Sequence, residues 1–227
     1  MRAEPASRSD WRKTAAIAAA VALLTVIPYA AGDWLARPGM KFMGFICTVF
    51  DQNSYIAWMK QAEEGRVLFE NKYTTEPQKG VFFQPFFLAL GGICRTTGAD
   101  PVFVYHAARI FFGFALMLAA WRMACMFLDG RRERFWAFLF VCLSSGAGWL
   151  MTRNVFGTLA NKYDIIPVDR IMVEAVTFLS VLTKPLFTFS MTVMVLIFML
   201  MYRSYERSDI KCAIAAGLSG FVLWIVH

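Results

Sequence analysis

Hydrophobic and polar positions divide this chain into five long apolar runs, separated by short charged segments and two longer polar stretches. Residues 14–31, 102–127, 135–152, 175–202 and 210–225 carry few charges, and each approaches the roughly 20 residues a helix needs to cross a hydrocarbon core. The pattern predicts an all-α fold, a polytopic membrane helical bundle forming a single membrane domain over residues 1–227. A sixth run, 81–93, is too short to span. Its Pro85, Gly91 and Gly92 point to an interfacial or re-entrant helix. Residues 53–64 at helical spacing place Tyr55, Met59 and Ala62 on one face and Lys60, Glu63 and Glu64 opposite, which predicts a juxtamembrane helix stopped at Gly65. Asp51 then falls just ahead of that helix, where a carboxylate caps free backbone N–H groups.

Composition supports the membrane reading. Of 227 residues, 58% are hydrophobic and 16% aromatic, and mean hydropathy is +0.51. The net charge of +7 would suit a nucleic-acid binder if it were gathered on one solvated face. Here the cations are scattered between apolar runs, so nucleic acid is excluded as a partner. The five cysteines form no CxxC pair and no legible metal or disulfide framework.

Charge also orients the spans. With the N-terminus cytoplasmic, the inside segments and their borders hold Arg2, Arg8, Arg12 and Lys13, then Arg122, Arg131, Arg132 and Arg134, then Arg203, Arg207 and Lys211. Their six acids are Glu4, Asp10, Asp129, Glu133, Glu206 and Asp209, whereas the outer segments 32–101 and 153–174 are balanced in charge. That excess of inside cations is the positive-inside pattern. The first span, preceded by Arg12 and Lys13, is expected to remain uncleaved because further spans follow it. The expected location is an inner, cytoplasmic membrane crossed several times, with the lipid bilayer as partner.

The long outer segment opens with Phe50-Asp51-Gln52-Asn53-Ser54-Tyr55, continues through Gly65 and the aromatic run Gln84-Pro85-Phe86-Phe87, and leads to an Arg-bearing second span. In this order of features the chain resembles the GT-C superfamily of membrane glycosyltransferases, in particular the family 39-like enzymes that include protein O-mannosyltransferases and aminoarabinose transferases. The resemblance implies transfer of a sugar from a polyprenyl-phosphate carrier to an extracytoplasmic acceptor, with inversion. Asp51 matches the acidic position of the first outer loop and is the implied catalytic base. Glu174, or Asp169, matches a second acid near the following span. The chain departs from the pattern at Gln52, where relatives often carry an adjacent acid, and at Gln84, where many carry a lysine before the proline. It ends at His227 within the fifth run, so an N-terminal portion of a longer protein is expected. The alternative is a truncated, non-catalytic homologue that binds lipid-linked sugar or acts as a membrane subunit.

The chemistry asks for a base beside the acceptor hydroxyl and for positive charge beside the departing phosphate. Arg109 and Lys184 sit inside apolar runs, where a charge must face a partner, a cavity or the interface, and they are the candidate phosphate ligands. His106 lies three residues before Arg109 on the same helical face. Tyr55 and Gln84 complete the candidate substrate-binding set. Asp51 and Glu174 could share a divalent cation, Mg²⁺ or Mn²⁺, through oxygen ligands. The 84–92 stretch, with Phe82 and Phe83 before it, suits either a groove for the isoprenoid tail or a surface anchor. SSGAG at 144–148 lacks the Walker pattern and suits close helix packing. A solute transporter is disfavoured because no paired broken helices or inverted half-repeats are legible.

Overall fold

Ser7 opens the first helix with a reciprocal cap: its Oγ accepts from the Asp10 backbone N–H at 3.1 Å, while the Asp10 carboxylate accepts from the Ser7 N–H at 3.2 Å. The computed structural model describes residues 7–46, 49–145, 172 and 176–227. In chain order the helices are α1 (Arg8–Leu24), α2 (Ile27–Trp34), α3 (Val49–Glu63), α4 (Pro85–Thr97), α5 (Pro101–Phe127), α6 (Arg131–Leu143), α7 (Thr177–Thr183), α8 (Pro185–Arg207) and α9 (Ile210–Val226). Among the described residues there are no strands beyond one antiparallel bridge, Phe69 to Phe82, in the α3–α4 connection.

Among the described residues three helical segments are long and apolar enough to cross a membrane: Arg8–Trp34, Pro101–Phe127 and Pro185–Arg207. α9 is apolar but shorter, and the expected span 135–152 is described only through residue 145, with α6 beginning earlier, at Arg131. Large apolar side chains on the outside of these helices, such as Phe111, Phe140 and Trp224, are more than 60% exposed, which suits lipid better than water.

One sequence expectation is sharpened and one corrected. The run 175–202 is not one helix, because Lys184 is extended (φ −132°, ψ 105°) and separates α7 from α8. The cause is local: a residue before proline is pushed out of the α region, and Pro185 is well placed at the first position of a new helix. The juxtamembrane helix starts at Val49, so Asp51 lies in its first turn and not ahead of it. A carboxylate there still meets the positive end of the helix dipole.

α5 is the hub. Its first half joins α3, α4 and α8 through Met59, Phe87, Tyr105 and Leu186. Its second half joins α1, α6 and α7 through Ala18, Met117, Phe138 and Val181. Where α4 crosses α3, Gly91 is required: a Cβ there would overlap the Met59 carbonyl oxygen and the Ala62 methyl. Gly92, on the next position, faces open space. Gly91→Ala should therefore destabilise the detergent-solubilised chain by about 1–3 kcal/mol. Gly92→Ala should stabilise it by up to about 1 kcal/mol through helix propensity. Opposite shifts in thermal midpoint would establish the crossing, and equal shifts would refute it.

Candidate functional site

The break between α7 and α8 frees backbone carbonyls that an unbroken helix would satisfy. Val181 would find its donor on residue 185, but Pro185 has no N–H. Side chains from three other helices supply the donors. Arg109 Nη1 of α5 donates to the Val181 oxygen at 3.0 Å, Tyr29 Oη of α2 to Leu182 at 2.6 Å, and Tyr105 Oη of α5 to Thr183 at 3.0 Å. Gln52 Nε2 of α3 adds a second bond to the Thr183 oxygen at 3.2 Å. Each of these groups lies at the opposite end of a long sequence separation, so the break is what knits the bundle together.

Arg109 is 1% exposed and reaches a second irregular point as well. Its Nη1 donates to Thr25 Oγ1 at 2.6 Å, at the turn between α1 and α2, and its guanidinium lies 4.6 Å from the centre of the Tyr29 ring. Its Nε donates to His106 Nδ1 at 3.2 Å, and His106 Nε2 lies 2.9 Å from the Gly44 oxygen. That pair of contacts assigns the Nε2–H tautomer: Nε2 donates to the carbonyl and Nδ1 accepts from arginine. Arg109 forms no ion pair among the described residues.

Lys184 projects from the break toward α3 and meets Asp51, Nζ to Oδ2 at 2.8 Å. The two partners are unlike in exposure: the Lys184 side chain is 6% exposed and the Asp51 side chain 52%. A nearly enclosed ammonium thus holds a carboxylate that remains open to an incoming group. The Lys184 ammonium also stands 4.7 Å from the centre of the Phe187 ring.

The remaining expected site residues fall around this centre. Tyr55 stacks on Phe87 with ring centres 4.5 Å apart, within the aromatic set that also includes Trp58. Gln84 caps α4, its Oε1 accepting from the Phe86 N–H at 3.0 Å and its Nε2 donating to the Val226 oxygen at 2.6 Å. Glu174 and Asp169 lie outside the described residues. Among the described residues no group of three or more His, Cys, Asp and Glu side chains is gathered. Asp51, the one expected metal ligand that is described, has Oδ2 committed to an ammonium.

Beside the centre, α4, α5 and α8 enclose an apolar groove of about 720 Å³ lined by Phe86, Leu90, Val104, Phe112 and Phe189. Of the aromatic residues expected to form either a groove or an anchor, Phe86 lines it, Phe82 packs on Trp58, and Phe83 is 46% exposed. On the other side of α5 a second cleft, about 550 Å³, is bounded by Tyr29, Asp33, Lys41, Asp100 and His106.

The sequence singled out Asp51, Lys184, Arg109 and His106 as candidates, and the structure gathers them around the helix break together with Thr25, Tyr29, Tyr105 and the buried amide of Gln52, which the sequence did not point to. The available signal was Pro185, whose missing N–H demands a donor for Val181 from elsewhere. Compared with family models, with curated proteins and with solved structures, the chain matches none.

Proposed function

We propose that the chain is a multi-pass membrane protein of glycosyltransferase type, moving a sugar from a polyprenyl-phosphate carrier to an acceptor on the extracytoplasmic face. The observation that carries this reading is the Asp51–Lys184 pair: a half-exposed carboxylate fixed by a nearly enclosed ammonium, at a helix break beside an apolar groove. In the reaction the acceptor oxygen forms a bond to the anomeric carbon as the bond from that carbon to the phosphate oxygen breaks. Asp51 takes the acceptor proton, and the polyprenyl phosphate leaves with the bonding electron pair. The groove receives the isoprenoid chain.

Inversion places acceptor and phosphate on opposite faces of the anomeric carbon. A cation 2.8 Å from the base therefore stands on the acceptor side. In this reading Lys184 holds the Asp51 carboxylate in place, and it serves the phosphate only when the ion pair opens. Arg109, enclosed by Val181, Thr25 and His106, acts as a positioning residue that holds the break.

Gln52 favours the non-catalytic alternative, in which the same groove binds lipid-linked sugar without transfer. The two readings separate in membranes supplied with radiolabelled polyprenyl-phosphate sugars. Asp51→Asn should lower label transfer by about 100-fold or more at unchanged protein level, the range for loss of a general base. Transfer at the wild-type rate in that variant would remove Asp51 as base, and carrier binding without transfer in the wild type would select the alternative. The transporter reading gains nothing from the α1–α2 turn: Thr25 and Val26 keep near-helical dihedrals, so only the Lys184 break is an unwinding among the described residues.

A further inference from the structure

At the other end of α5, twelve residues or about 18 Å along the helix from Arg109, lies a pocket that the proposed transfer reaction does not use. It occupies about 480 Å³ between α1, α5 and α6. Three cations line it, Lys13, Arg131 and Arg132, against one acid, Asp10. Asp10 is committed to Arg131 in an ion pair and to Ser7. Lys13 and Arg132 enter no ion pair among the described residues. Glu133, the acid in the first turn of α6, folds against Gly130 and does not line the pocket.

Two further observations point to an anion. Trp121 lines the pocket at 2% exposure, and its Nε1–H has no hydrogen-bond acceptor among the described residues. A buried indole N–H normally finds a partner. The pocket also takes in the N-terminal turn of α6, whose N-cap residue Gly130 makes no side-chain cap. That turn carries the positive end of the helix dipole, which the Glu133 carboxylate folded against Gly130 offsets in part. On the rim Phe135 and Trp136 are 37% and 57% exposed, the amphipathic placement expected at a membrane–water boundary.

We propose that this pocket binds a phosphate group, carried on the headgroup of an acidic phospholipid, with Lys13 and Arg132 as its counter-charges and the Trp121 N–H as a hydrogen-bond donor. Basic pockets between spanning helices at the cytoplasmic boundary are suited to such headgroups, and the charge excess at this end matches that side. Nothing in the site depends on the glycosyltransferase reading.

The test is native mass spectrometry of the full chain in neutral detergent, titrated with phosphatidylglycerol, with phosphatidylcholine and with inorganic phosphate. Phosphatidylglycerol should bind at least about 10-fold tighter than phosphatidylcholine, and the double variant Lys13→Gln, Arg132→Gln should lose about 10- to 30-fold of that affinity. Trp121→Phe, which keeps a ring and removes only the N–H donor, should lose a smaller factor. Equal binding of the two lipids to the wild type overturns the proposal without any variant having to fold. Unchanged affinity in the double variant overturns it as well. Displacement of phosphatidylglycerol by millimolar inorganic phosphate would identify the free anion as the occupant and overturn the lipid assignment.

Discussion

Arg109→Met is expected to lower the unfolding free energy of the detergent-solubilised chain by about 3 kcal/mol, read by titration with a denaturing detergent. Two effects oppose each other. The guanidinium is 1% exposed and has no carboxylate partner among the described residues, so removing it relieves a desolvation cost. Methionine, however, leaves the Val181 oxygen, Thr25 Oγ1 and His106 Nδ1 without their donor. Interhelical hydrogen bonds in membrane proteins average only about 0.6 kcal/mol, because the separated groups find other partners. Val181 is poorly placed to do so, since its helical donor position is Pro185. Its orphaned carbonyl should cost the about 1–3 kcal/mol of an unsatisfied buried group, with the other two lost bonds added. The guanidinium is moreover weakly hydrated and lies over Tyr29, which reduces the relief gained by deleting it. Arg109→Lys should fall between wild type and Met, because one ammonium cannot reproduce the two nitrogens of the guanidinium, Nη1 serving Val181 and Thr25 and Nε serving His106. A stabilised Met variant would reverse the conclusion. It would mark Arg109 as a charge retained for function at a cost to the fold.

Hydropathy was informative where one helix occupies one apolar run. Residues 102–127 became Pro101–Phe127 because Asp100 accepts from the Val102 and Phe103 N–H groups and Pro101 starts the helix, and residues 210–225 became Ile210–Val226 behind an Asp209 cap. It failed at 175–202, since a window average weighs side chains and is blind to a single extended residue. Lys184-Pro185 was visible in that run, but not its consequence for three carbonyls. In the site, the unusual charges were legible one by one because a charge in an apolar run is costly wherever it points. Their partners were not. Asp51 and Lys184 are separated by 133 positions, and Arg109 donates to the Val181 carbonyl, the Thr25 hydroxyl and the His106 ring, none of which its place in an apolar run announces.

Gln52→Glu, which restores the acid that the resemblance leads one to expect, should destabilise the chain in a strongly pH-dependent way. Gln52 is fully buried and spends its amide N–H on the Thr183 carbonyl, a bond that an ionised carboxylate cannot make. Enclosure, the facing carbonyl oxygen and the neighbouring Asp51 all disfavour the charged form, so the introduced carboxyl should titrate above the about 4.3 of an unfolded glutamate. Between those two values the native state holds a proton that the unfolded state has released. Stability must therefore fall as pH rises, by up to about 1.4 kcal/mol per unit. Below about pH 4.5 the protonated group can donate to Thr183 as the amide does, and the variant should approach wild type. By pH 7.5 it should lie about 2–3 kcal/mol lower. A pH-independent variant of wild-type stability would mean that the Lys184 ammonium had turned from Asp51 to the new carboxylate. The same variant bears on catalysis. If it folds at pH 6 and transfer does not rise, a second acid has no use at this position, because the space is already assigned to holding the helix break closed.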